Sequence, residues 1–178
     1  MTAGTVHAQH VNIGTKIGLN SYSINNDSGS NFDSKLGIHA GIFGHAHLTR
    51  QLGFQPELVY STQGGKTGNT DFNLDYINVP VLLQYMFDNG FRVQAGPQVG
   101  FLVRAKAKNG NSTLDVKDQF KTIDAGLSFG ASYIHVPSSF GIDARYNLGL
   151  RDISEVSGPK FTNRGLQVGI FYLFGNRN

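Results

Sequence analysis

Residues 91–104 read FRVQAGPQVGFLVR. Phe91, Val93, Ala95, Pro97, Val99, Phe101 and Val103 alternate with Arg92, Gln94, Gly96, Gln98, Gly100, Leu102 and Arg104. A helix cannot gather the first set on one face, because its period is about 3.6 residues; a strand, with a period of two, does so automatically. One face of this strand is apolar and the other is built from glycine, glutamine and arginine. It reads as a wall between two different surroundings.

Seven more segments of this kind flank it, over residues 11–22, 35–48, 52–63, 72–87, 120–135, 140–151 and 164–174. In one, Ile77, Val79, Val81, Leu83, Tyr85 and Phe87 oppose Asn78, Pro80 and Gln84. In another, Phe140, Ile142, Ala144, Tyr146, Leu148 and Leu150 oppose Asp143, Arg145, Asn147 and Arg151. The connections alternate: long at 23–34, 64–71, 105–119 and 152–163, short at 49–51, 88–90 and 136–139. Eight strands joined in this way predict an all-β, eight-stranded, antiparallel up-and-down transmembrane barrel. An even strand number puts both termini at the rim of the short turns, the periplasmic rim in such barrels, and turns the long loops outward. Asp88-Asn89-Gly90 is a hairpin-turn sequence. Pro56 lies inside a strand, where a bulge is one way to accommodate it. Asp75 has the parity of an apolar face, so it is expected at the loop-side rim, beyond the membrane.

Bulk composition is consistent with this reading. The chain has 178 residues, enough for one domain with a full core, with 23 glycines, no cysteine and no tryptophan. Without cysteine there are no disulfides and no thiolate metal sites. The formal charge is +3 with acids and bases interspersed. No run of Lys or Arg gives a nucleic-acid footprint. No stretch reaches the roughly 18 apolar residues of a membrane helix, but a barrel strand crosses with about 10 residues, apolar on one face. The mean hydropathy of −0.21 therefore does not decide against a membrane. Residues 1–9 carry Val6-His7-Ala8 before Gln9, small residues where a signal-peptidase site would have them, without a charged or apolar region before it. They read as a signal-peptide remnant or a disordered N-terminus; residues 10–178 form the barrel domain.

Alternation alone does not say which face is inside. A soluble lipocalin-like barrel turns its apolar faces inward. Here the polar face is rich in Gly, Ser, Gln and Asn rather than the Lys and Glu of a solvated surface. The apolar face is too bulky for the inside of eight strands. The reading is therefore apolar outside. The interior then holds Lys16, His39, Glu57, Arg92, Arg104, Asp124, Asp143, Arg145 and Arg151, with Arg104 and Arg151 at the loop-side rim. Buried charge must be paired, which predicts a structural ion network of Lys16, Glu57, Arg92, Asp143 and Arg145 in a filled lumen and no open pore. Tyr60, Phe87, Phe91, Tyr133, Phe140, Tyr172 and Phe174 are expected to form interfacial girdles.

Candidates for chemistry are few. His39, His45 and His47 share one face but lack an evident third metal ligand. Ser132 and His135 resemble the Ser/His pair of lipid-modifying barrels, yet lie on opposite faces; His45 or His47 with Ser61 on the next strand is better placed. Neither pair comes with an acid and an oxyanion site. Lys106 and Lys108 point either to anionic headgroups or simply to a solvated loop. The interior glycines lie within strands, not between a strand and a helix, so they are not phosphate-loop signals. The expectation is no enzyme, no cofactor and no metal.

Several stretches carry a resemblance: KIGLN at 16–20, GIF at 41–43, QPELVYS at 55–61, INVPVLL at 77–83, AGPQVGFL at 95–102 and DARYNLGL at 143–150. Together they resemble the PorT-like outer-membrane β-barrel family, widespread in Bacteroidota, over most of the chain. The resemblance implies a barrel delivered to the outer membrane by the Sec and barrel-assembly machineries. It does not imply one activity; some members look like accessory parts of a secretion system. Residues 175–178 extend past Phe174, the terminal aromatic that assembly machinery usually reads. The combined expectation is a monomer in outer-membrane lipid whose long loops meet a protein partner or surface ligand. The alternatives are a lipid-modifying outer-membrane enzyme and a soluble ligand-binding barrel.

Overall fold

β-Branched and aromatic residues on alternate positions favour a pleated, half-buried backbone, and the chain is strand almost throughout. The computed structural model describes residues 11–26, 33–155 and 160–174. The elements are β1 (Val11–Asn26), β2 (Asp33–His47), β3 (Leu52–Thr67), β4 (Thr70–Met86), β5 (Phe91–Asn109), the short β6 (Ser112–Asp115), a 3₁₀ turn (Lys117–Gln119), β7 (Ile123–His135), β8 (Phe140–Gly149) and β9 (Phe161–Phe174). Each barrel strand pairs antiparallel with its sequence neighbours, and β1 pairs with β9 from Ile13 opposite Phe174 to Asn26 opposite Phe161. Eight strands thus close into a barrel with no free edge, while β6 returns along β5 outside the closure. The signal-peptide reading of residues 1–9 and the C-terminal extension lie outside the described residues.

The faces separate as the composition implied. Ile17, Leu19, Ile42, Leu58, Leu83, Ile142, Val168 and Ile170 are each about half exposed on the outer wall. Lys16, Glu57, Gln94, Asp143, Arg145 and Asn147 are buried in the lumen. This is the reverse of a soluble ligand-binding barrel. The short-turn rim carries the aromatics in chains of ring contacts, Tyr85–Phe87–Phe91 and Phe140–Tyr172–Phe174. Tyr60 lies towards the opposite rim.

The structure corrects four expectations, three of them at the loop side. The expected loop at 64–71 is mostly strand: β3 and β4 run on to a two-residue turn at Gly68-Asn69, with Gly68 at φ 54°. The expected loop after residue 104 likewise begins as strand, turning at Gly110-Asn111 with Gly110 at φ 56°. Both glycines hold the left-handed conformation that tight hairpins demand. Pro56 causes no bulge, since the β3–β4 and β2–β3 registers continue unshifted on either side of it. The register shifts elsewhere, between Ser34 and His39 where β2 meets β3, and at Val103 on β5, where Tyr76 faces Leu102 but Asp75 faces Arg104. One extra residue reverses the parity of everything after it. Arg104 therefore leaves the lumen, lies outside, and pairs with Asp75 at 3.5 Å, while Ala105 turns inward. Arg151 is also exposed, in the connection after β8.

Lumenal glycines let this narrow barrel close. The ring tip of Phe43 lies where a Cβ on Gly14 would stand, at 2.2 Å, and Phe171 lies over Gly141 in the same way. At Gly96 a Cβ would meet the carbonyl oxygen of Val81 at 1.9 Å, a backbone atom that cannot move aside. Gly96→Ala is expected to destabilise the barrel by about 1–3 kcal/mol through overpacking, read as urea unfolding in lipid vesicles. Gly44→Ala serves as the control, since its Cβ would meet nothing nearer than 3.6 Å, and it should be neutral.

The connection after β8 is clasped by Asp152, which accepts hydrogen bonds from the backbone N–H of Ser154 (3.1 Å) and Phe161 (3.0 Å) and pairs with Lys121 at 3.4 Å. Partial burial pushes this carboxyl up, but the two N–H groups and the ammonium outweigh it and hold it below the usual carboxylate range. The clasp is at full strength above the unfolded carboxylate range and is lost as pH falls through the lowered value.

Candidate functional site

Three strands bring the central charges together. Arg145 on β8 donates Nη1 to Glu57 Oε2 at 2.8 Å and Nη2 to Glu57 Oε1 at 2.9 Å, a bidentate pair with Glu57 on β3. Lys16 on β1 donates Nζ to Asp143 Oδ2 at 3.0 Å and lies 3.6 Å from Glu57. Arg145 Nη2 is also 3.6 Å from Asp143. Two cations and two carboxylates balance, and their side chains are at most 3 % exposed. Alternation aims each of them inward, and the barrel radius brings residues more than a hundred positions apart within reach.

An amide chain runs from this quartet towards the short-turn rim. Gln55 Nε2 donates to Glu57 Oε1 at 2.7 Å, and Gln84 Nε2 donates to both Gln55 Oε1 at 3.0 Å and Gln94 Oε1 at 2.7 Å. Arg92, expected in the ion network, is buried at the end of this chain but forms no ion pair among the described residues. It enters the lumen at the start of β5, near the rim, where it faces Ser132; Asp143, opposite Ser132 on β8, is taken by Lys16 and Arg145 instead.

Towards the loops the lumen becomes neutral and polar. Asn147 donates to the Tyr22 hydroxyl at 2.7 Å and contacts Ser128; Asn163 contacts Gln63; Asn20 donates to Ser61 at 2.9 Å. Asp124 lines this upper chamber, with Oδ1 buried and unpartnered among the described residues. Above it sits an apolar plug of Ile24, Leu74, Tyr76, Leu102, Ala105, Val116 and Ile153. Val116 and Ile153 come from connections, which alternation does not cover, and nothing in the sequence separates Val116 from its exposed neighbour Leu114. The two lumenal cavities are each about 10 Å³, room for roughly one water.

The candidate catalytic pairs do not assemble. Ser132 is inside and His135 is exposed on the short-turn side, where its Nδ1 lies 2.9 Å from Ser138 Oγ. Ser61 faces His39, not His45, so His45 lies six residues along β2 from it, ~20 Å at strand rise. The His45 and His47 rings meet edge to face with centroids 4.7 Å apart, but no group of three metal-ligating side chains occurs among the described residues.

Outside, the wall changes character along one level. Tyr60, Ile77 and Val103 are followed towards the loops by Thr62, Asp75 and Arg104, which are in register with one another. Beyond that level β3, β4, β5 and β6 form a raised crown. Its outer face carries Lys66 paired with Asp71 at 3.8 Å, Arg104 with Asp75, and Lys106 opposite Asp115. β5 continues from Arg104 to Asn109, ~17 Å of strand clear of the apolar band.

Residues 7–155 match the family model described as outer membrane protein beta-barrel domain. Neisserial surface protein A superposes with a TM-score of 0.64 at 20 % identity, covering 90 % of this chain and 96 % of that one. Ail, the attachment invasion locus protein of Yersinia pestis, superposes with a TM-score of 0.56 at 15 % identity, covering 92 % and 98 %. The structure of Ail in complex with the heparin analogue sucrose octasulfate gives 0.55 at 16 % identity, covering 93 % and 99 %. At these identities the likeness is one of fold. No curated protein matches the sequence. With an apolar wall outside, ions inside and a family match over most of its length, the chain belongs to the outer membrane protein β-barrel domain family and resides in the outer membrane.

Proposed function

We propose that this is a PorT-like member of the family, of the kind found in Bacteroidota, and that it acts as a monomer in a structural or interaction role. It presents its crown and loops to a protein partner or surface ligand; it neither conducts solutes nor turns over lipid. The observation that carries this reading is the contrast between a lumen filled from rim to plug and a crown of paired strands standing clear of the apolar band. A ladder-held crown offers a rigid polar face for recognition, at less ordering cost than mobile loops. The role of the ion quartet in this reading is to hold the barrel, not to act on a ligand.

In planar bilayers the reconstituted protein is expected to show no stepwise conductance, and in phospholipid micelles no release of fatty acid above background. Ohmic steps, or turnover abolished by changing His45 or Ser61, would overturn the reading. Shortening the crown by joining β5 directly to the 3₁₀ turn should leave the urea midpoint of the barrel unchanged, as expected of a part that serves recognition.

A further inference from the structure

We propose that the short-turn end of the lumen binds a single small monovalent anion of halide size, held by Arg92, Gln94 and Ser132. The first ground is charge. Asp75 is buried but pairs with Arg104 on the outer wall; of the buried charges that face the lumen, Lys16, Arg92 and Arg145 contribute three positive and Glu57 and Asp143 two negative, leaving an excess of one with the imidazoles neutral. Both carboxylates are already engaged by Lys16 and Arg145. The excess therefore sits on Arg92, which has neither ion pair nor hydrogen bond among the described residues. Other acids do not reach it. Asp88 is in the exposed turn with Arg50 at 3.8 Å. Asp124 faces Gly100, eight residues along β5 from Arg92, ~26 Å at strand rise. A buried guanidinium needs a counter-charge.

The second ground is geometry. Arg92 and Gln94 share the lumenal face of β5, and Ser132 of β7 is directly opposite Arg92. Gln94 spends its carbonyl on Gln84, which leaves Nε2 buried without a partner among the described residues. A guanidinium, an amide N–H and a hydroxyl thus converge, against two buried acceptors without a partner among the described residues, Gln84 Oε1 and Asp143 Oδ1, the latter on a carboxylate whose other oxygen Lys16 and Arg145 already hold. All four side chains line the same cavity of about 10 Å³. That volume takes one water-sized guest, which admits a halide with slight relaxation and excludes sulfate, phosphate and carboxylate solutes.

The test uses the full chain refolded in lipid vesicles, with sodium chloride exchanged for sodium gluconate at constant ionic strength. The urea midpoint is expected to rise with chloride and to follow the logarithm of its concentration once the site fills. Arg92→Gln should abolish that dependence. Gln94→Glu is the decisive variant. It keeps the oxygen that accepts from Gln84, places a carboxylate oxygen where Nε2 was, and so supplies the counter-charge covalently. Its midpoint should exceed that of the unmodified chain in gluconate and ignore chloride. Bromide-soaked crystals should give one anomalous peak beside Arg92. A midpoint indifferent to chloride, a chloride response that survives in Gln94→Glu, or bromide only elsewhere would each overturn the proposal and leave a water in the cavity.

Discussion

Arg145→Leu is expected to cost the barrel about 3–5 kcal/mol, the usual loss when one partner of a buried ion network is removed. Arg145 is 2 % exposed and supplies both hydrogen bonds of the bidentate pair with Glu57 as well as the 3.6 Å contact with Asp143. Without it, two carboxylates face Lys16 alone in a lumen that offers room for only about one water per cavity. Leucine replaces part of the lost volume, so most of the cost is electrostatic. The measurement is equilibrium urea unfolding in vesicles. The double variant Arg145→Leu with Glu57→Leu retains the balanced Lys16–Asp143 pair and should recover much of the loss, which a double-mutant cycle reads as coupling between the two sites. An Arg145→Leu barrel as stable as the unmodified one would refute the idea that the quartet holds the lumen.

Ile170→Arg is expected to cost about 2–4 kcal/mol, the penalty for a cation at the bilayer midplane on the wall of a barrel. Ile170 lies on the outer face of β9 between Ile17 and Ile142 and is 54 % exposed, so lipid, not protein, surrounds it. Leu166→Arg, one position inside the already charged Arg164 on the same face, should cost only about 0–1 kcal/mol because it lies near the interface. In a water-soluble barrel both substitutions would be neutral. A steep gradient between them therefore measures the membrane directly, again as unfolding free energy in vesicles.

Much of this was legible before folding. Period-two alternation identifies Phe91 to Val103 as an outward set because a strand offers no other way to group them. The glycine- and glutamine-rich partner face implied a narrow interior, and Lys16, Glu57, Asp143 and Arg145 were recognisable as inward charges that require pairing. Arg92 was recognisable as inward but not as solitary, because parity gives the face of a residue and not which cations the carboxylates across the lumen will take.

Other features were out of reach for a related reason. The bulge at Val103 moved Arg104 outside and Ala105 inside, a shift of register that alternation along β5 alone does not show. Val116 and Ile153 cap the lumen from connections that have no period to read. Residues 64–71 are a loop by composition and a hairpin in fact, because the ladder of neighbouring strands extends them. Strand identity, facing and the inventory of buried charge belong to local chemistry and are written residue by residue along the chain. Register, height around the barrel and the closing of its ends depend on closure, a global condition in which every strand constrains its neighbours. That condition decided which charges pair, which one is left over, and which surface stands above the membrane.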